Sequence, residues 1–133
     1  RHWIYFPEDN FCFFRVGFPH NFSPSLVPTE KKSLYAEVSY SKDRPINKNR
    51  VISRIKDDLK IAGILDDGRI CCENINDIEY AYPIYDRNYR QAREGILKYL
   101  MRYNLLACGR YGSWRYFSME DTILDARRVA YSL

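Results

Sequence analysis

Near its start the chain carries short runs of apolar and aromatic residues broken by turn chemistry. Trp3 to Phe6 is a run of aromatics around one Ile, and Phe11 to Phe18 is a second such run. Pro7-Glu8-Asp9-Asn10 between them suits a turn, so the pair predicts an antiparallel hairpin. Pro19 to Lys32 holds Pro19, Pro24 and Pro28 and predicts a structured loop rather than a helix. From Ser33 to Tyr40, Leu34, Ala36, Val38 and Tyr40 alternate with Tyr35, Glu37 and Ser39, the period of a strand with one buried face.

The period then changes. Val51, Ile52, Ile55, Leu59 and Ala62 fall at helical spacing, predicting a helix from Asn47 to Ala62 with Gly63 as its stop. Asp66-Asp67-Gly68 predicts a turn, and Arg69 to Ile84 an extended run in which Ile78, Tyr80, Tyr82 and Ile84 alternate. Pro83 puts the end of that run at a sheet edge or leaving the sheet. Asp86 is placed to cap a helix reaching Tyr103, with Tyr89, Ala92, Ile96, Tyr99, Leu100 and Tyr103 as its stripe. Leu105 to Cys108 predicts a short buried strand, and Gly109 to Phe117 a loop. Ser118 and Asp121 form a variant capping box before a last helix, whose apolar face is Met119, Thr122, Ile123, Ala126, Val129 and Ala130. The expected fold is α+β, a mostly antiparallel sheet of about four or five strands with about three helices.

Composition narrows the classes. A chain of 133 residues is expected to form a single domain. A net charge of +4 is too slight for a dedicated nucleic-acid binder, which usually concentrates its basic residues in a patch. No apolar run approaches the roughly 20 residues of a membrane span. The chain begins at Arg1 with no initiator Met, so it is expected to belong to something longer. Cys12, Cys71, Cys72 and Cys108 show no C-x-x-C spacing, and with His2 and His20 as the only histidines no zinc pattern emerges. Buried or half-buried thiols in a reducing, cytoplasmic setting are expected.

The sharpest local signal is Gly109-Arg110-Tyr111-Gly112-Ser113-Trp114-Arg115-Tyr116-Phe117-Ser118-Met119-Glu120-Asp121. Two glycines permit close approach or positive φ, an arginine fork suits phosphate, and a capped helix start offers free N–H groups. These parts suit an anionic, partly aromatic ligand such as a nucleotide. The residues alone also fit an ordinary loop whose Arg pairs with a carboxylate and whose aromatics pack inward.

Gly109 to Ile123 resembles the C-terminal flavin-binding motif of the FAD-dependent amine oxidase superfamily, in the branch of UDP-galactopyranose mutases and protoporphyrinogen-oxidase-like proteins. The mutase run reads Gly-Arg-x-Gly-Thr-Tyr-Arg-Tyr-x-Asp-Met-Asp. Gly109, Arg110, Gly112, Arg115, Tyr116 and Met119 match it, while Trp114 stands for a Tyr and Ser118 and Glu120 for an Asp. Ala81 to Tyr85 and Arg15 to Pro24 resemble the protoporphyrinogen-oxidase-like relatives. The resemblance implies FAD as cofactor, contacted by Gly109, Arg110, Gly112, Met119 and Glu120. It implies a substrate side formed by Tyr82, Trp114 and Tyr116. It also implies a flavin-dependent oxidoreductase or a mutase-like enzyme, the latter of the kind found in polysaccharide or lipopolysaccharide biosynthesis.

Gly17, Gly63, Gly68, Gly95, Gly109 and Gly112 include no Gly-x-Gly-x-x-Gly, the turn that seats a dinucleotide pyrophosphate. The chain therefore reads as the C-terminal, substrate-side piece of a flavoprotein, inactive and flavin-free alone. Its expected partner is the N-terminal dinucleotide-binding domain of the parent chain, and the face left bare is expected to self-associate. No catalytic or metal-binding residue is assigned, and His2 and His20 are expected to cap turns or lie exposed. The rival reading is a stand-alone module whose aromatic strands and Arg15 bind single-stranded nucleic acid or a protein partner.

Overall fold

A computed structural model describes residues 1–66, 68 and 70–132. Asp67 in the expected turn and Arg69 at the start of the expected extended run lie outside the described residues. The chain divides into two compact units, Arg1–Glu73 and Asn74–Leu133.

The first unit is built on a three-stranded antiparallel sheet in the order β1-β2-β3, from Trp3–Tyr5, Arg15–Gly17 and Tyr35–Glu37. The register is set by the alternation. Ile4, Val16 and Ala36 lie side by side across the sheet on the covered face, where Val16 is fully buried. The rows on either side, Trp3–Gly17–Tyr35 and Tyr5–Arg15–Glu37, project to the opposite face. Helix α1 is Lys48–Ile61, started by the Asn47 side chain accepting from Asn49 N–H and stopped at Ala62. Gly63 follows at φ +67°, the left-handed conformation that glycine adopts without a Cβ penalty. Val16, Phe13 and Leu59 are the buried apolar side chains, and Phe6 and Phe11 pack against Phe13 with ring centroids 5.1 and 5.6 Å from neighbours. The proline-rich segment makes two short 3₁₀ turns, Pro19–Asn21 and Pro24–Leu26, each with proline at its first position.

The second unit holds α2 (Tyr89–Met101), the single turn α3 (Gly109–Gly112) and α4 (Met119–Ala130). The capping box at α4 forms as the sequence predicts: Ser118 Oγ accepts from Asp121 N–H, and Asp121 Oδ2 accepts from Ser118 N–H at 2.9 Å. Asp86 acts one step earlier than expected. Its Oδ1 accepts from Asn88 N–H, an Asx turn that leads into α2, and Asn88 takes the N-cap position.

The α+β class stands, but with fewer strands than the alternation predicts. No described residue of the 70–84 segment is in a strand, and Ile78, Tyr80 and Ile84 are exposed. Leu105 to Cys108 is likewise not a strand, with Leu105 and Leu106 exposed. Period-two alternation describes a chain ready to pair; a strand also needs a neighbour to accept its hydrogen bonds. The thiols differ from expectation too: none of the four is in a disulfide, as expected, but only Cys12 is partly covered, and Cys71, Cys72 and Cys108 are exposed.

In the second unit the described buried residues are Pro83, Gly109, Ser113 and Asp125, of which Pro83 alone has an apolar side chain. The stripes that periodicity assigns to the core are open instead: Ile96 on α2 is 60% exposed, Ile123 on α4 67% and Met119 87%. Among the described residues no helix is long and apolar enough to cross a membrane.

Candidate functional site

The motif from Gly109 to Asp121 is held by side chains gathered around its backbone. Gly109 has φ +76°, a left-handed conformation, and its N–H donates to Asp125 Oδ2 at 2.9 Å. Ser113 Oγ donates to the same oxygen at 2.8 Å, and Arg128 Nη2 donates to Asp125 Oδ1 at 2.7 Å. Burial pushes the Asp125 carboxyl up, but the bonds from Ser113, Gly109 and Arg128 outweigh it and hold the group below the usual carboxylate range. One buried carboxylate on α4 thus fixes both ends of α3.

Helix α2 and the segment before it hold the next stretch. Arg93 Nε donates to Ser113 O and Tyr89 Oη to Trp114 O, both at 2.5 Å, while Tyr116 N–H donates to Tyr85 Oη at 2.8 Å. Between these bonds Trp114 adopts φ +47°, a conformation costly for a residue with a Cβ.

Arg110 sits at the centre. Nη1 donates to Phe117 O at 3.2 Å and Nη2 to Ala81 O at 3.1 Å. Its guanidinium carbon lies 5.0 Å from the Tyr82 ring centroid and 4.8 Å from that of Tyr116. The two rings stack on each other, 5.7 Å apart at 18°. Arg110 Nε is buried with no hydrogen-bond partner. Three of the predicted site residues, Tyr82, Arg110 and Tyr116, therefore form one cluster. Trp114 is placed elsewhere, its ring against Tyr111 at 6.3 Å. Met119 and Glu120 lie exposed in the first turn of α4, where no helical carbonyl reaches their N–H groups. Gly112 has no steric demand within its own surroundings, since an added Cβ would meet Ala107 at an ordinary 3.6 Å.

Tyr85, Tyr89, Arg93 and Asp125 have no place in the sequence motif. Asp125 had a visible signal: it falls within the apolar stripe of α4, three residues from Thr122 and four from Val129, where a charge needs partners. Of the others, Tyr89 lies on the apolar stripe that periodicity gives α2, while nothing local tells Tyr85 and Arg93 apart from solvated residues.

The first unit carries a second constellation on the open sheet face. Arg15 Nε donates to Glu37 Oε1 at 2.9 Å and Nη1 to Tyr5 Oη at 3.1 Å, along one cross-strand row. Burial pulls the Arg15 guanidinium down, but the bonds to Glu37 and Tyr5 prevail and raise it above its ordinary value. On the neighbouring row Trp3 stacks on Phe22 at 6.0 Å, and Phe22 on His2 at 4.4 Å. His2 is exposed, as expected. His20 lies in the first 3₁₀ turn and ties it to Ser33, whose N–H donates to Nδ1 at 3.2 Å. Among the described residues no group of three His, Cys, Asp or Glu could hold a metal ion.

No family model matches the chain. Among solved structures, it is similar to reduced UDP-galactopyranose mutase, with 31% sequence identity and a TM-score of 0.74. The fold resembles one part of that mutase. The likeness covers 86% of this chain but 24% of the mutase, so the chain spans about a quarter of the length of the protein it matches.

Proposed function

We propose that the chain is the C-terminal, FAD- and substrate-contacting part of a flavin-dependent enzyme of the UDP-galactopyranose mutase kind, acting on a nucleoside-diphosphate sugar and inactive alone. The observation that carries this reading is the structural match to a quarter of the mutase at 31% identity. The site lends support, since Tyr82, Arg110 and Tyr116 cluster and phenols beside a cation suit a diphosphate.

The residues fit FAD in part. Arg110 Nε is a buried donor without a partner, and the first N–H groups of α4 are free of helical bonds. Glu120 puts a negative charge at that helix start, so Met119 and Glu120 N–H suit the neutral ribityl hydroxyls better than the pyrophosphate. When bound, FAD supplies the redox-active ring. The chain's own residues bind and orient: Arg110 offers a fixed positive charge, and Tyr82 and Tyr116 offer phenol donors.

The dinucleotide-binding domain of the parent is the proposed partner. The open apolar stripes of α2 and α4, and the burial of no apolar side chain but Pro83 among the second unit's described residues, support a covering surface from elsewhere.

The test is expression of the full-length protein beside the 133-residue chain. The full-length protein should purify yellow and, once reduced, interconvert the pyranose and furanose forms of UDP-galactose; the short chain should be colourless. A full-length protein that neither binds flavin nor acts on the nucleotide sugar would sink the reading.

A further inference from the structure

Tyr82 and Tyr116 stand 34 positions apart in sequence, in segments that are neither helix nor strand. Neither backbone ladder nor apolar core holds their rings together, since both side chains are largely exposed. Two links join the segments: Tyr116 N–H donates to Tyr85 Oη, and beside the rings themselves stands Arg110. It donates to the carbonyl of Ala81, the peptide just before Tyr82, and to the carbonyl of Phe117, the residue just after Tyr116. The same guanidinium lies within 5.0 Å of both ring centroids.

We propose that Arg110 is a positioning residue whose forked side chain sets the spacing and facing of the Tyr82 and Tyr116 rings. The inference rests, for its consequence, on the reading above that the two phenols hold a substrate diphosphate. The geometry itself needs only this chain. A planar fork reaches two carbonyls at once, and its cationic plane attracts two electron-rich ring faces. A lysine ammonium keeps the charge but has no rigid fork, so it is expected to lose one carbonyl and let one ring go. With Nη1 and Nη2 each giving one N–H to a carbonyl, three of the five guanidinium N–H groups remain, one of them on the buried Nε.

The experiment uses the full-length protein with tyrosine and arginine isotope-labelled for NMR. The wild type should show a ring-to-ring cross-peak between Tyr82 and Tyr116, and separate Nη1 and Nη2 signals for Arg110. Arg110→Lys and Arg110→Met should both lose the cross-peak while Tyr99→Phe keeps it. Persistence of the cross-peak in both Arg110 variants would overturn the proposal. If the variants do not fold, the wild type still decides: a single averaged Nη signal, from a freely rotating guanidinium, overturns it. UDP serves as the binding probe, and Arg110→Lys should weaken it about tenfold, as loss of one phenol-to-phosphate hydrogen bond from the displaced ring does. A wild type that shows the cross-peak but does not bind UDP would count against the nucleotide reading and leave the positioning role in place.

Discussion

The ring of Tyr35 lies over Gly17. A Cβ built on Gly17 would come within 2.1 Å of Tyr35 Cζ and 2.4 Å of its Oη. Residue 17 and residue 35 pair across β2 and β3, so the missing side chain of one is the space occupied by the other.

Gly17→Ala should therefore displace Tyr35 rather than strain the backbone. The expected cost is about 1 kcal/mol, less than in a packed core, because the clashing atoms are the far end of an exposed ring. Urea unfolding should show it, and Gly17→Ala combined with Tyr35→Ala should recover most of the loss. A single Gly17→Ala variant as stable as the wild type would contradict the contact.

Asp125 gives a pH signature. Its carboxyl is held low in the folded chain, where burial, which raises it, is outweighed by Ser113, Gly109 and Arg128. Such a group lends stability above its unfolded-state pKa of about 3.9, and that contribution is lost as pH falls through the lower folded value. Asp125→Ala should cost about 1–3 kcal/mol at neutral pH by leaving the Gly109 N–H and Ser113 hydroxyl unpaired. The unfolding midpoint should fall less steeply with acid in the variant than in the wild type.

Thiol chemistry separates Cys12 from the rest. Burial first, and then the neighbouring Asp58, push its thiol up to about 12. At pH 8 that leaves about one molecule in ten thousand as the reactive thiolate. Cys71, Cys72 and Cys108, being exposed, should react with a disulfide reagent in a fast phase and Cys12 in a slow one. Asp58→Asn should speed the slow phase only in part, because burial is the larger cause.

The open stripes predict association. The 133-residue chain should sediment with a concentration-dependent mass, driven by α2 and α4 apolar residues. Ile123→Lys, at a site 67% exposed, should change unfolding stability by less than about 0.5 kcal/mol yet reduce that association. An unchanged mass distribution would place the sticky surface elsewhere.

The legible parts were those whose cause is local. Alternation in Ser33 to Tyr40, the helix start at Asn47, the Ser118 cap and the Gly63 stop each depend on residues a few positions apart; the structure has a strand at Tyr35–Glu37, Asn47 as N-cap, and the other two in place. The 70–84 and 105–108 runs were misread because a strand is a property of two segments, and only one is visible in a local pattern. At the site, the resemblance named Tyr82, Arg110 and Tyr116, which the structure brings together. The residues that fasten the loop escaped it, because Tyr85, Tyr89 and Arg93 act on backbone atoms that any sequence would supply.

The uneven distribution of buried apolar side chains has a kinetic consequence. Phe13, Val16 and Leu59 all belong to the first unit, while the second is fastened chiefly by polar contacts centred on Asp125 and Arg110. Hydrogen bonds reached by water open and close more readily than those sealed under packed hydrocarbon. The amides around Val16 should thus be the last to exchange with deuterium, and those of α2, none of whose residues is buried, should exchange far sooner. A protease would find its first cut in the second unit, and ligand occupancy there would appear as a slowing of that early exchange.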